Sequence, residues 1–160
     1  MDTQEQFKQL KSNLTPEKLL SLDPATRKQV VKLMGDLEVS VNREKSQDSF
    51  LDFCASVWPA FIEGHHHVKM AKAFERVASG ELKRLIINMP PRMGKSQLTS
   101  WLLPAWIMGR SPDKKIIMAS HTAELAVRFG RMVRNLINSE EYDNVFPSVS
   151  LTSDSKAAGR

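Results

Sequence analysis

The chain has 160 residues, 41% of them hydrophobic and 26% charged, with a net charge of +5 at pH 7. That composition describes an ordinary globular protein long enough for one domain with a sizeable core, and no apolar run approaches the roughly 20 residues that span a bilayer. A single cysteine, Cys54, excludes an internal disulfide, and the N-terminal MDTQEQFKQLKSNL lacks the apolar stretch of a signal peptide, so the expected compartment is cytoplasmic.

The first 60 residues read as a helical region. LTPEKLLSL offers Thr15 as N-cap, Pro16 at the first helical position and Glu17 in the first turn. LDPATRKQVVKLMGDLEVSV repeats the device with Asp23 and Pro24, after which Val30, Val31, Met34, Leu37 and Val41 lie on one helical stripe. NREKSQD reads equally as a break or as an exposed turn of helix. SFLDFCASVWPAF then gathers aromatics around a buried Cys54 and stops at Pro59.

From residue 61 onward the pattern is that of a second region. VKMAKAFERVASG sets Met70, Ala71, Phe74, Val77 and Ala78 on one face, with Gly80 as C-cap. LKRLIINM (82–89) and KKIIMAS (114–120) are apolar enough to predict strands buried on both faces. Between them KSQLTSWLLPAWIMG predicts a helix that Pro104 kinks or ends. TAELAVRFGRMVRNLINSEEY gives the clearest helix, with Leu125, Ala126, Phe129, Met132, Val133, Leu136 and Ile137 inward and Arg128, Arg131 and Arg134 mostly outward. Strand, glycine turn, helix, strand, helix predicts an α/β fold with a parallel sheet flanked by helices.

The turn after the first predicted strand is INMPPRMGKSQ. A phosphate-binding loop has the form G-x-x-x-x-G-K-[ST] between strand and helix. Gly94, Lys95 and Ser96 fill its last three places, and Met89 stands where the first glycine belongs. The chemistry needs these types: backbone N–H groups and a helix N-terminus attract phosphate, lysine reaches the β/γ-phosphates, and the hydroxyl ligates Mg²⁺. Pro90 and Pro91 stiffen the turn by fixing φ, and Arg92 brings a guanidinium suited to phosphate. Charge agrees. Residues 1–82 hold 11 Lys and Arg against 12 Asp and Glu, a net of −1, while residues 83–160 hold 12 against 6, a net of +6. A basic half suits a polyanionic partner, and equally a solvated basic surface.

The stretch LKRLIINMPPRMGKSQLTSWLLPAWIMGRSPDKKIIMASHTAELAVRFGRMVRNLI resembles the ATPase domain of the large terminase subunit of tailed bacteriophages, the motor that packages double-stranded DNA into a capsid. The resemblance covers about residues 49–160, and a loop without its leading glycine but with an internal basic residue is a trait of that family. It implies a P-loop NTPase fold of the additional-strand, RecA-like type, incomplete here and carrying an N-terminal helical appendage. It implies ATP and Mg²⁺ as cofactors, with Pro91, Arg92, Met93, Gly94, Lys95, Ser96 and Gln97 as the phosphate cradle. Within it, Lys95 would bind the β/γ-phosphates, Arg92 the γ-phosphate, and Ser96 the Mg²⁺. FIEGHHHV aligns with the segment near the adenine, which makes His66 and Phe61 candidates for the base pocket. By the same resemblance the partners are double-stranded DNA, a small terminase subunit and the portal protein. The full-length protein would be a ring oligomer in the cytoplasm of the infected host. The acidic motif with the catalytic glutamate, the arginine finger and the nuclease domain would lie beyond DSKAAGR, so this chain is expected to bind ATP without that glutamate.

Two other readings are another nucleic-acid-dependent P-loop ATPase of helicase type, which usually keeps the leading glycine, and a non-hydrolysing fragment that binds DNA or a partner. His65, His66 and His67 have no cysteine or acidic cluster at ligand spacing and do not read as a metal site. Trp101, Trp106 and Met108 read as helix packing rather than a platform for bases. Arg128, Arg131 and Arg134 suit DNA phosphates, a solvated face or a subunit contact. Asp154 and Lys156 have no partner in sequence and are assigned no chemistry.

Overall fold

A computed structural model describes residues 3–152, so Asp154, Lys156 and the DSKAAGR segment lie outside the described residues. The backbone divides into two compact units, with the boundary after Lys45.

The first unit holds α1 (Thr3–Asn13), α2 (Pro16–Ser21) and most of α3 (Pro24–Asp48). Thr15 has the extended backbone of an N-cap, although its side chain makes no capping bond. The Asp23 carboxylate accepts from the N–H groups of Ala25 at 3.1 Å and Thr26 at 3.0 Å, satisfying two of the orphan donors of α3. The Thr26 hydroxyl, with the Thr26 and Ala25 N–H groups, holds its carboxyl below the usual range. At the other end of α2, the Arg27 guanidinium donates to the carbonyls of Leu19, Leu20 and Leu22, at 2.9, 2.7 and 3.0 Å. Of the predicted stripe, Val41 is buried and Val30, Met34 and Leu37 are half-buried, while Val31 is exposed. NREKSQD is a continuation of the helix, not a break.

The second unit starts with the last turn of α3, from Ser46, and contains α4 (Phe50–Val57), α5 (His65–Ala78), α6 (Lys95–Gln97), α7 (Leu103–Arg110), α8 (Ala123–Ile137) and α9 (Glu140–Val145). Thus α4, which the sequence groups with the N-terminal helices, packs with the loop-bearing part of the chain. Its first turn is held twice: Ser49 Oγ accepts from Asp52 N–H, and the Glu75 carboxylate of α5 accepts from Phe50 N–H at 3.0 Å. Phe50, Phe53, Phe74, Trp106, Tyr142 and Phe146 form an aromatic core with edge-on contacts such as Phe50 with Phe74 at 5.3 Å. The polar tips of this core are satisfied: Trp106 Nε1 donates to the Ser46 carbonyl at 3.0 Å and the Tyr142 hydroxyl to the Ala105 carbonyl at 2.9 Å. Cys54 is fully buried, and burial pushes its thiol far up, so it packs as an apolar group.

Pro104 neither ends the helix nor breaks it. Between α6 and α7 lies a π-helical turn, Leu98–Leu102, in which Leu103 N–H bonds the Leu98 carbonyl five residues back. The wider turn absorbs the mismatch ahead of a proline that has no N–H to offer, and the helical run continues to Arg110. Gly109 lies under the Phe146 ring, where a Cβ would sit 2.4 Å from it. This close approach ties α7 to the residue that ends α9.

The parallel sheet predicted from the sequence is not present: among the described residues there is no β-strand, and the fold is helical. Residues 82–90 and 114–120 are irregular backbone without a ladder. Both segments do turn some apolar side chains inward, with Ile87, Met89 and Met118 packed against the core. The expected two-sided burial fails, since Ile86 is 87% and Ile117 is 92% exposed. The physical reason is that a strand exists through its neighbour: without a partner at ladder spacing, an apolar run has no reason to be β. The backbone bonds that do form at these segments tie Leu82 N–H to the Arg76 carbonyl and Lys114 N–H to that of Ser111, both local, while the Lys114 ammonium reaches the Ala78 carbonyl at 3.1 Å. The P-loop NTPase sheet architecture is therefore corrected to a helical unit around an aromatic core. Among the described residues no helix is long and apolar enough to cross a membrane.

Candidate anion-binding loop and cleft

The residues that the sequence places in a phosphate loop form a tight turn into a helix. Pro90 and Pro91 lead in, Arg92 has φ of 65°, and Gly94 has φ of 74° as the N-cap of α6. Arg92 is the one non-glycine residue with positive φ among the described residues, so Met93 between the two has negative φ. Positive φ at Arg92 and Gly94 on either side of a negative φ at Met93 is the alternation of φ sign that backbone nests for anions use. Positive φ at an arginine is uncommon and strained by roughly 1–3 kcal/mol, a departure that clusters at functional sites. The N–H groups of Lys95, Ser96 and Gln97 follow at the start of the helix, where they have no partner within it.

This loop forms one wall of a cleft of about 430 Å³. Arg92, Met93, Gly94, Gln97 and Leu98 line one side, and Trp58, Phe61, Ile62, His66 and His67 the other. The structure thus brings Phe61 and His66, the candidates for a base pocket, onto the same cleft as four of the predicted loop residues. Pro91, Lys95 and Ser96 are not on its lining: Pro91 and Ser96 are exposed, and Lys95 is half-buried at the first position of α6. The apolar wall is rigidly built, with the Trp58 ring 5.7 Å from both Phe61 and Trp101. Trp101 and Trp106 are packing residues, as their sequence context predicts.

The three histidines diverge: His65 is exposed, His66 half-buried and His67 buried. His67 was not singled out by its residue type, yet it is the side chain most closely tied to the loop. It sits at the third position of α5, where its Nδ1 accepts from the Gly64 N–H at 3.1 Å while its own N–H bonds the Gly64 carbonyl at 2.9 Å. This is the reciprocal pattern of a capping box with imidazole in the place of glutamate. A histidine at the third position after a helix-starting glycine is the signal that identifies it. With Nδ1 accepting, the neutral ring carries its proton on Nε2. Burial holds the His67 pKa below the ordinary imidazole value, and a charge on His66 pushes the same way, while the Met93 and Ile62 backbone and Glu63 oppose them.

Elsewhere, Arg128 and Arg131 are exposed on α8 and line a shallow groove with Glu124 and Asn135, and Arg134 is half-buried. Of the predicted inward face of α8, Val133, Leu136 and Ile137 are buried, and Leu125, Ala126, Phe129 and Met132 are half-buried. Comparison with protein-family models, with characterised proteins and with solved structures finds no match to this chain.

Proposed function

We propose that the chain binds the phosphates of ATP with Mg²⁺ at residues 91–97, as the nucleotide-binding part of a motor of the terminase type that packages double-stranded DNA. The observation that carries this reading is the alternating φ at Arg92, Met93 and Gly94 ahead of a helix that opens with Lys95 and Ser96. Loop N–H groups, a helix N-terminus and the Lys95 ammonium would serve one polyanion together. The adjoining cleft supplies what a base needs, an aromatic and apolar wall with His66 and Gln97 as polar groups. Arg92 would contact the terminal phosphate and Phe61 the base.

Ser96 fits the Mg²⁺ role, because its exposed hydroxyl is a hard oxygen donor beside the phosphate cradle, and Mg²⁺ keeps most of its waters when one or two protein oxygens bind it. When bound, the metal would neutralise charge on the phosphates. Double-stranded DNA, a small terminase subunit, a portal protein, a ring assembly and the cytoplasm of an infected bacterium belong to the same reading. The basic half of the chain supports a polyanionic partner.

Calorimetry with MgATP tests the reading. Lys95→Ala removes one charge-assisted contact, so affinity is expected to fall about 10- to 150-fold, from a loss of roughly 1.5–3 kcal/mol. Equal affinity in the variant, or no binding by the folded wild-type chain, would overturn it.

A further inference from the structure

We infer that His67 is a positioning residue of the loop: its imidazole, fixed by Gly64 at one edge and lying beneath Met93 and Gly94 at the other, holds the loop with its N–H groups turned to the cleft. His67 is only 9% exposed, and its Nε2 is buried without a hydrogen-bond partner among the described residues. A Cβ on Gly94 would stand 3.2 Å from that Nε2. A residue that merely capped α5 would need an acceptor at the Nδ1 position and nothing more, which asparagine or aspartate supplies. Here the far edge of the ring is spent on the loop, and a buried donor that lacks a partner is costly enough to require a reason. The Met93 backbone supplies one. It lies against the imidazole on the side of an acceptor. Phe61 at 5.1 Å and His66 at 3.8 Å between ring centroids keep the imidazole from turning away.

The contact works in one protonation state. Protonated, Nδ1 becomes a donor facing the Gly64 N–H, and that bond is lost. The charge would also be desolvated beside His66, with Arg92 on the same cleft, and these outweigh the Met93 and Ile62 backbone and Glu63, which favour it. The neutral ring, tied to Gly64 through Nδ1, therefore holds the loop in place, and protonation frees the ring from that anchor. Because the folded ring resists protonation, stability also falls as pH drops below the unfolded imidazole value of 6.5. The sign is informative, because simple attraction between an imidazolium and phosphate would strengthen anion binding in acid.

The meaning of the loop's conformation rests on the nucleotide reading above, but the contact does not. The test is an NMR titration of the ¹⁵N-labelled full chain from weakly alkaline to weakly acidic pH, with MgATP affinity measured by calorimetry along the same series. The Met93 and Gly94 amides are expected to move with the midpoint of the His67 ring, and MgATP affinity to fall about fivefold or more across it. His67→Asn keeps an acceptor for Gly64 and so preserves the start of α5. It should shift the Met93 and Gly94 amides and abolish their pH dependence. Loop amides that ignore the His67 titration, or MgATP binding that strengthens as His67 protonates, would overturn the inference. If the amides follow His67 while MgATP does not bind, the positioning contact stands and the nucleotide reading fails. Should His67→Asn not fold, the wild-type titration alone decides.

Discussion

Trp106→Ala is expected to destabilise the second unit by about 3–5 kcal/mol, a large part of the whole stability of a domain this size. Trp106 has no solvent exposure. Its ring meets Phe50 edge-on at 5.5 Å, and the Arg110 guanidinium lies over it at 4.6 Å. Its Nε1–H donates to the Ser46 carbonyl in the last turn of α3, so truncation opens a cavity and also removes a buried hydrogen bond. Trp106→Phe separates the two costs, since it fills most of the cavity and loses only the donor, for roughly 1–2 kcal/mol. Chemical denaturation followed by tryptophan fluorescence and circular dichroism reads both. A loss below about 1 kcal/mol for the alanine variant would mean that Trp106 is not the centre of the core.

Gly94→Ala is expected to act on stability and on ligand binding together. An L-residue in the left-handed region costs roughly 1–2 kcal/mol, and Gly94 has φ of 74°. The added Cβ would also meet His67 Nε2 at 3.2 Å and Leu98 Cδ1 at 3.3 Å, and Leu98 is wholly buried and cannot yield cheaply. The sum is about 2–3 kcal/mol of destabilisation, with MgATP affinity reduced about tenfold as the N–H groups lose their common direction. Gly94→Asn should lose less stability than Gly94→Ala, because asparagine tolerates the left-handed region better. An alanine variant at least as stable as wild type would show that residue 94 is not left-handed, since replacing glycine where the backbone allows it stabilises by about 0.4–1 kcal/mol.

How far the sequence reveals this molecule depends on how local each cause is. The faces of α5 and α8 are legible because a helix is made of contacts three and four residues apart, so Phe74, Val133 and Leu136 declare themselves by spacing. Asp23 is legible as a cap for the same reason. The segments around Ile86 and Ile117 were misread because their apolar runs satisfy the strand pattern, while a ladder depends on a partner far away in sequence that the run itself cannot reveal. The loop was recognisable by Gly94, Lys95 and Ser96, but the left-handed Arg92 was not, since arginine has no preference for that conformation. The π-helical turn before Pro104 was equally hidden: proline predicts a disturbance, and only the packing of Leu98 and Leu102 into the core decides its form. In the cleft, a sequence alignment of motifs reached Phe61 and His66, whereas His67 emerged only once the start of α5 and the loop were seen side by side.

The central claim is that the loop and the cleft form one ligand site, and amide hydrogen exchange with and without saturating MgATP tests it most directly. The account predicts slowed exchange at residues 92–97 and, in the same experiment, at residues 58–67 across the cleft. Unchanged exchange in both segments, or protection confined to parts of the chain outside them, would contradict it.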